Sequence, residues 1–260
     1  MIYDCFTFFN ELDLLKIRLE ILYNTVDKFV IVEANQTHSG ISKSYIFNEH
    51  ISEFSKYLDK IIYLMIPEMP VSSNAWDLEN YQRNYIKNGL INCNPNDIII
   101  VSDLDEIPNP TAIIAYNSLT GVKSLMQSMH YYYLNCKCIS SATLEYVYWY
   151  HPKIMRFCDI LGDIESVRHT ACDCISDGGW HFSYLGGFEK IQLKIQSFAH
   201  QEVNTVNYRD EKHIKNSIRN GLDIFDRNLI YRYITVDIDD TYPKYIIENV
   251  AMLKEMGLIN

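Results

Sequence analysis

In the first 110 positions, apolar residues come in short, nearly unbroken runs separated by amphipathic stretches. The runs are IYDCFTFF (2–9), KFVIVEAN (28–35), KIIYLMIP (60–67) and NDIIIVSD (96–103). Strands that are apolar on both faces and alternate with helices make a parallel sheet covered on both sides. Between the first two runs, Leu12, Leu15, Leu19 and Leu22 recur at helical spacing. Asn10 is the expected cap of that helix, with Glu11 and Asp13 in a first turn where the helix dipole favours negative charge. A short polar helix is expected around residues 48–57, and NAWDLENYQRNYIKNGL (74–90) reads as a longer one. Asn109 and Pro110 have the order of an N-cap and a first helical residue.

From about residue 121 to 185 the pattern changes. MHYYYLNC (129–136) and LEYVYWYHPKIMRF (144–157) are rich in Tyr, Val, Cys and Trp and predict longer antiparallel strands. From Gly187 onward the chain reads as helical again. No internal repeat, low-complexity tract or linker divides the 260 residues. The expectation is one α/β domain whose two halves share a mixed sheet flanked by helices.

Charge narrows the partners. With 23 basic against 33 acidic side chains, the formal charge of -10 turns the chain away from nucleic acid and anionic membranes and toward a small ligand or a glycan. No apolar run nears the roughly 20 residues of a membrane span, and MIYDCFTFFNELD has neither the basic start nor the cleavage site of a signal peptide. The expected compartment is therefore the cytoplasm. Seven cysteines include two C-x-C pairs, Cys136 with Cys138 and Cys172 with Cys174. That spacing suits two thiols on one strand face, and without a C-x-x-C knuckle they read as reduced structural thiols.

The chemistry concentrates in IIIVSDLDEIPNP (98–110), where Asp103, Asp105 and Glu106 follow the fourth apolar run. Ligands of open α/β sheets sit beyond the carboxyl ends of the strands. Two aspartates at i and i+2 leaving a strand can converge on one divalent cation, Mg²⁺ or Mn²⁺, that also takes nucleotide diphosphate oxygens. Glu33, at the end of the second run, adds a carboxylate to the same edge, and Arg83 is a candidate to offset phosphate charge, with a surface helix arginine as the equal alternative. A solvated acidic turn is the bland alternative. A haloacid dehalogenase-like phosphatase is a competing enzyme class, because ITVDIDDTYP (234–243) carries a D-x-D-x-T pattern. Too few residues follow Asp237 for the remaining units of that fold, so DIDDTYP reads as a polar turn before the last helix.

Four blocks in order, DCFTFFNELDLLKIRLEILYNTVDKFVIVEAN (4–35), YQRN (81–84), SDLDEIPNP (102–110) and GGWHFSYLGGFEKI (178–191), resemble the family 17 glycosyltransferases. The resemblance runs from Tyr3 to about Tyr245. It implies a GT-A-like, Rossmann-like single domain with a nucleotide-sugar-binding half (1–110) and an acceptor-binding half (111–260). It also implies metal-dependent, inverting transfer, with UDP-N-acetylglucosamine as donor, a glycan or glycoprotein as acceptor, and Asp103 and Asp105 holding Mn²⁺ or Mg²⁺. Beside the animal members these 260 residues read as shorter, with no stretch expected to serve as their membrane anchor or stem, which leaves the acceptor open.

Inverting transfer needs a general base. Glu189, in the first turn of a helix after two glycines, is the first candidate, and Asp177 the reserve; dipole partnership and turn chemistry explain the two equally well. His181 is a candidate third metal ligand, or a histidine satisfied by backbone. Trp180 is a candidate for stacking on a sugar, with His200 and Arg156 as weaker site candidates. A binding protein that keeps this fold without turnover is the alternative from another class.

Overall fold

The apolar runs form strands where the pattern predicts them, as a computed structural model covering residues 1–260 describes. The order is β1 (Ile2–Phe8), α1 (Leu12–Leu22), β2 (Lys28–Ala34), α2 (Ile46–Glu49), β3 (Ile61–Ile66), α3 (Ala75–Asn84) and β4 (Ile98–Asp103). Then come β5 (Glu106–Pro108), α4 (Pro110–Ala115), β6 (Lys123–Tyr131), β7 (Cys136–Ser140), β8 (Tyr148–Trp149), β9 (Lys153–Arg156) and α5 (Ile164–Arg168). The chain ends with β10 (Cys174–Ser183), α6 (Gly187–Ser197), α7 (Glu211–Asn220), β11 (Tyr231–Thr235), α8 (Lys244–Glu248) and α9 (Val250–Glu255).

All eleven strands belong to one sheet, ordered β11-β7-β6-β9-β4-β1-β2-β3, with β10 alongside β6 and β5. The β3-β2-β1-β4 block is parallel, and β9 joins it antiparallel. Alternation along β2 shows why both faces are apolar. Phe29 and Ile31 pack with Leu15, Leu19 and Leu22 of α1, whereas Val30 and Val32 pack on the other face with Leu78 and Ile164. Each such buried side chain contributes about 1.5–3 kcal/mol relative to exposure. A third cluster joins β6, β7 and β11 to α6 and α7 through Met129, Tyr131, Tyr233, Ile191 and Ile214. The two halves thus share a sheet, as expected. No helix is long and apolar enough to cross a membrane.

Several local expectations shift. Helix α1 starts at Leu12 with Glu11, not Asn10, at its cap position and no side-chain capping bond. The polar segment expected to be a helix at 48–57 is α2 followed by a kinked 3-10 stretch from Ile51 to Tyr57. Asn109 caps α4 through Thr111 N, with Pro110 in its first turn, as predicted. Strand β11 interrupts the region read as helical from Gly187. It is a mostly exposed edge strand whose one strand partner is β7, so its apolar signal is weak.

Strand β10 carries a bulge that matters for the site. Its register on β6 skips between Ile175 and Gly179, with Asp177 in a left-handed turn at φ 49°. Gly179 (φ 140°) lies so close to β5 that an added Cβ would stand 2.1 Å from the Ile107 carbonyl oxygen. Glycine is needed there on both counts. The bulge lets β10 pair with β5 as well as β6, and Phe182 N donates to the Asp105 carbonyl at 2.7 Å.

All seven cysteines are free thiols. Cys136 and Cys138 are buried on β7, and burial pushes each thiol up to about 12. Cys172 precedes β10 and Cys174 is its exposed first residue, so that pair does not share a strand face. In iodoacetamide at pH 8 followed by mass spectrometry, Cys158 and Cys174 are expected to alkylate. Cys136 and Cys138, with about one thiolate in 10⁴, are expected to stay unmodified. Comparable labelling of Cys138 and Cys174 would show that β7 opens readily.

Candidate active site

The parallel strands end on one edge, where Thr7 of β1 lies beside Asp103 of β4, and Phe8 beside Glu33 of β2. Over this edge opens a cleft of about 780 Å³. Its β1–β2 end is lined by Thr7, Phe8, Phe9, Thr37, His38 and Gln82, and its β6–β11 end by Tyr131, Tyr148, Tyr184, Tyr208, Phe225 and Tyr231. Asp103 and Asp105 line the cleft, along with side chains from both ends.

The acidic loop is held from beneath by Arg18, which is fully buried on α1. Its guanidinium pairs with both carboxylate oxygens of Asp4, at 2.8 and 2.6 Å. Nη1 then donates to the carbonyls of Asp103, Leu104 and Glu106 at 2.7, 3.0 and 3.1 Å, and Nη2 to Ser102 Oγ at 2.6 Å. One planar fork therefore satisfies three loop carbonyls that would otherwise be buried without partners.

Above the loop, the carboxylates meet protein cations. Arg83 Nη2 donates to Asp103 Oδ1 at 3.0 Å, and Arg168 Nη2 to Oδ2 at 2.8 Å. Arg83 is itself anchored by Glu79 and Glu165, and Arg168 by both oxygens of Glu106. Lys194 Nζ donates to Asp105 Oδ2 at 2.7 Å, and Ser183 Oγ to the same oxygen at 2.9 Å. Burial pushes both aspartates up, but Arg168 and Arg83 hold Asp103, and Lys194 holds Asp105, well below the usual carboxylate range. Both are ionised at neutral pH. The remaining oxygen, Asp105 Oδ1, faces His181 Nε2 at 3.6 Å. The His181 ring stacks on Trp149, centroids 4.7 Å apart, and Trp149 Nε1 donates to Glu106 Oε1.

Of the residues singled out from sequence, Asp103, Asp105, His181 and Arg83 come together here. Arg83 meets Asp103 directly. Glu33 is fully buried and accepts from Lys43 Nζ, the Ile46 and Phe47 amides and Tyr63 Oη, so it anchors α2 and does not line the cleft. Glu189 is exposed on α6 and attracts Lys215 of α7, and Asp177 is exposed at the β10 bulge; neither lines the cleft. Trp180 is buried in the core, where its Nε1 donates to the Thr241 carbonyl, which removes it as a sugar platform. Arg156 bonds the carbonyls of Asn96 and Asn117, away from the cleft. His200 reaches the rim, edge-on to Trp76. The DIDDTYP segment is a turn, with Asp239 accepting from Thr241 N and Oγ1.

Sequence reading missed Arg18, Arg168, Lys194, Trp149 and Glu11 as site residues. Only Arg18 carried a signal: it is an arginine between Ile17 and Leu19 on the apolar face of an otherwise clean amphipathic helix. A charge there demands a buried partner.

The profile of glycosyltransferase family 17 matches residues 1–238. The β-1,4-mannosyl-glycoprotein 4-β-N-acetylglucosaminyltransferases of rat, human and mouse are each 23% identical over 248 residues, covering 82% of this chain and 46% of the relative. The chain thus spans about half the length of the curated relatives it matches.

Proposed function

The chain belongs to glycosyltransferase family 17, and from that premise we propose that it is an inverting transferase moving N-acetylglucosamine from UDP-N-acetylglucosamine to a glycan hydroxyl. The observation that carries this reading is the Asp103–Asp105 loop at the carboxyl edge of a parallel sheet, opening on a cleft lined from both halves. In this GT-A-like reading the nucleotide lies at the β1–β2 end. The acceptor lies along the tyrosine-rich end, where aromatic faces suit pyranose rings. The curated relatives carry an N-acetylglucosaminyltransferase name, which supports the choice of donor.

Two facing donors support a divalent cation here, while Arg83, Arg168 and Lys194 pair the other oxygens of Asp103 and Asp105. Asp105 Oδ1 and His181 Nε2 face each other beyond hydrogen-bond reach, and a carboxylate with an imidazole suits Mn²⁺. No three His, Cys, Asp or Glu side chains cluster around one point, so nucleotide oxygens and water would complete the shell. Asp105 and His181 would hold the ion, with Asp103 beside them, and bound there it would neutralise the departing diphosphate.

The acceptor hydroxyl attacks the anomeric carbon from the face opposite UDP. Its oxygen forms the new glycosidic bond, its proton passes to a carboxylate, and the bond to UDP breaks with the electron pair leaving on the diphosphate. Among the cleft carboxylates, Asp103, Asp105, Glu79 and Glu106 are each held by a lysine or arginine, and Glu202 by His200. Glu11 has no ion pair and accepts only from the Asn10 amide, so we assign it the base role.

The test is a panel of UDP-sugars with Mn²⁺, with and without EDTA, following UDP release. UDP-N-acetylglucosamine is expected to be hydrolysed slowly, and EDTA to suppress release. Glu11→Gln is expected to lower transfer about 10²-fold or more while leaving UDP binding unchanged. A panel with no turnover of any donor, but with UDP stabilising the fold against heat, would favour a binding protein on the same scaffold.

A further inference from the structure

The second aspartate of the acidic loop is already occupied. Lys194 reaches from α6 to Asp105 Oδ2 at 2.7 Å and to Ser183 Oγ at 3.2 Å, and its ammonium lies 5.2 Å from the centre of the Tyr184 ring. The Lys194 and Asp105 side chains are 25% and 10% exposed, so water screens the pair weakly. On the other side of Asp105, Oδ1 faces His181 Nε2. A tethered monovalent cation and an incoming divalent one would therefore share a single carboxylate, and their mutual repulsion weakens ion binding.

Lysine and arginine differ in how such a conflict resolves. Arg83 and Arg168 are nearly buried and locked between two or three carboxylates each. Lys194 carries a compact charge on a flexible four-carbon stem and can move without losing planar geometry. What it needs is another anion. In the cleft without a ligand the carboxylates that attract it are Asp105 and Glu11; a nucleotide diphosphate would supply a further anion.

Building on the donor reading above, we propose that Lys194 is a resident counter-ion of Asp105 that makes metal and nucleotide binding cooperative. Without nucleotide it competes with the ion; with the diphosphate in the cleft it transfers to phosphate oxygen and frees Asp105. Linkage makes the effect reciprocal, so the ion tightens nucleotide binding by the same factor.

The experiment titrates Mn²⁺ into wild type, Lys194→Met, Lys194→Gln and Lys194→Arg, each with and without saturating UDP. Free Mn²⁺ is read by electron paramagnetic resonance, and folding is checked by circular dichroism. Wild type is expected to bind Mn²⁺ at least tenfold more tightly with UDP. Lys194→Met and Lys194→Gln are expected to bind Mn²⁺ alone about tenfold more tightly than wild type and to gain about tenfold less from UDP than wild type does, keeping only the part that diphosphate oxygens contribute as ligands of the ion. Lys194→Arg, which keeps the charge, is expected to retain the weak binding seen without UDP. Equal or weaker Mn²⁺ affinity in a folded Met or Gln variant overturns the proposal, as does an unchanged UDP enhancement. Should neither variant fold, the wild type still decides: Mn²⁺ affinity that is the same with and without bound UDP overturns the proposal. UDP that fails to bind wild type at all removes the donor reading itself, which melting curves with UDP and Mn²⁺ register separately.

Discussion

Asp105→Asn is expected to cut transfer by about 10²–10³-fold, equivalent to about 2.7–4 kcal/mol of transition-state stabilisation. The substitution keeps the size of the side chain and leaves the Asp105 carbonyl free to accept from Phe182 N, so the loop and the β10 pairing persist. It removes the charge on which Lys194 and His181 converge. Steady-state UDP release from UDP-N-acetylglucosamine measures the loss; a variant within tenfold of wild type would separate Asp105 from the chemistry. Stability gives a second signature. Lys194 depresses the Asp105 carboxyl in the folded state. That contribution is present above the unfolded carboxylate value of about 3.9 and is lost as pH falls through the lower folded value. The Tm gap between wild type and Asp105→Asn is therefore expected at neutral pH and to narrow below about pH 4.

The second large effect is on folding. Arg18→Met leaves the fully buried Asp4 carboxylate without a counter-ion and deprives the carbonyls of Asp103, Leu104 and Glu106 of their donor. Breaking a buried pair by removing one partner costs about 3–5 kcal/mol, against a total stability of about 5–15 kcal/mol for a domain. Urea denaturation is expected to show a midpoint lowered accordingly, or no folded baseline. The double variant Asp4→Leu with Arg18→Met separates two roles. Removing both charges is expected to restore part of the stability, because the unpaired-charge penalty disappears while the three loop carbonyls remain without their donor. Transfer is expected to stay depressed, because the acidic loop still lacks its three backbone anchors. A double variant with full activity would confine Arg18 to folding.

The sequence showed the parallel half of the sheet and the acidic loop because both are local patterns. Apolar runs such as KFVIVEAN and NDIIIVSD have no polar face to expose, so they specify buried strands wherever they lie. A D-x-D pair directly after such a run specifies carboxylates at a strand end. Trp180 and Glu33 illustrate the limit. Each sits where a local pattern places a site residue, yet a core position and a role in anchoring α2 absorb them. The mostly exposed β11 and the start of α1 slipped for a related reason, since edge pairing with β7 and a cap position without side-chain bonds leave faint traces in sequence.

By itself, then, the sequence determined the strand-and-helix order of the first half, the acidic loop and its place at a strand end. Only the tertiary structure decided what meets that loop. Asp103 finds Arg168 across 65 positions, and Asp105 finds Lys194 across 89. Glu189, in the helix turn that sequence favoured, faces solvent, while Glu11, after β1, lines the cleft. The physical reason is that periodicity reports which face of an element is buried. Charge pairing depends on which elements the sheet order brings together, and no spacing along the chain encodes that.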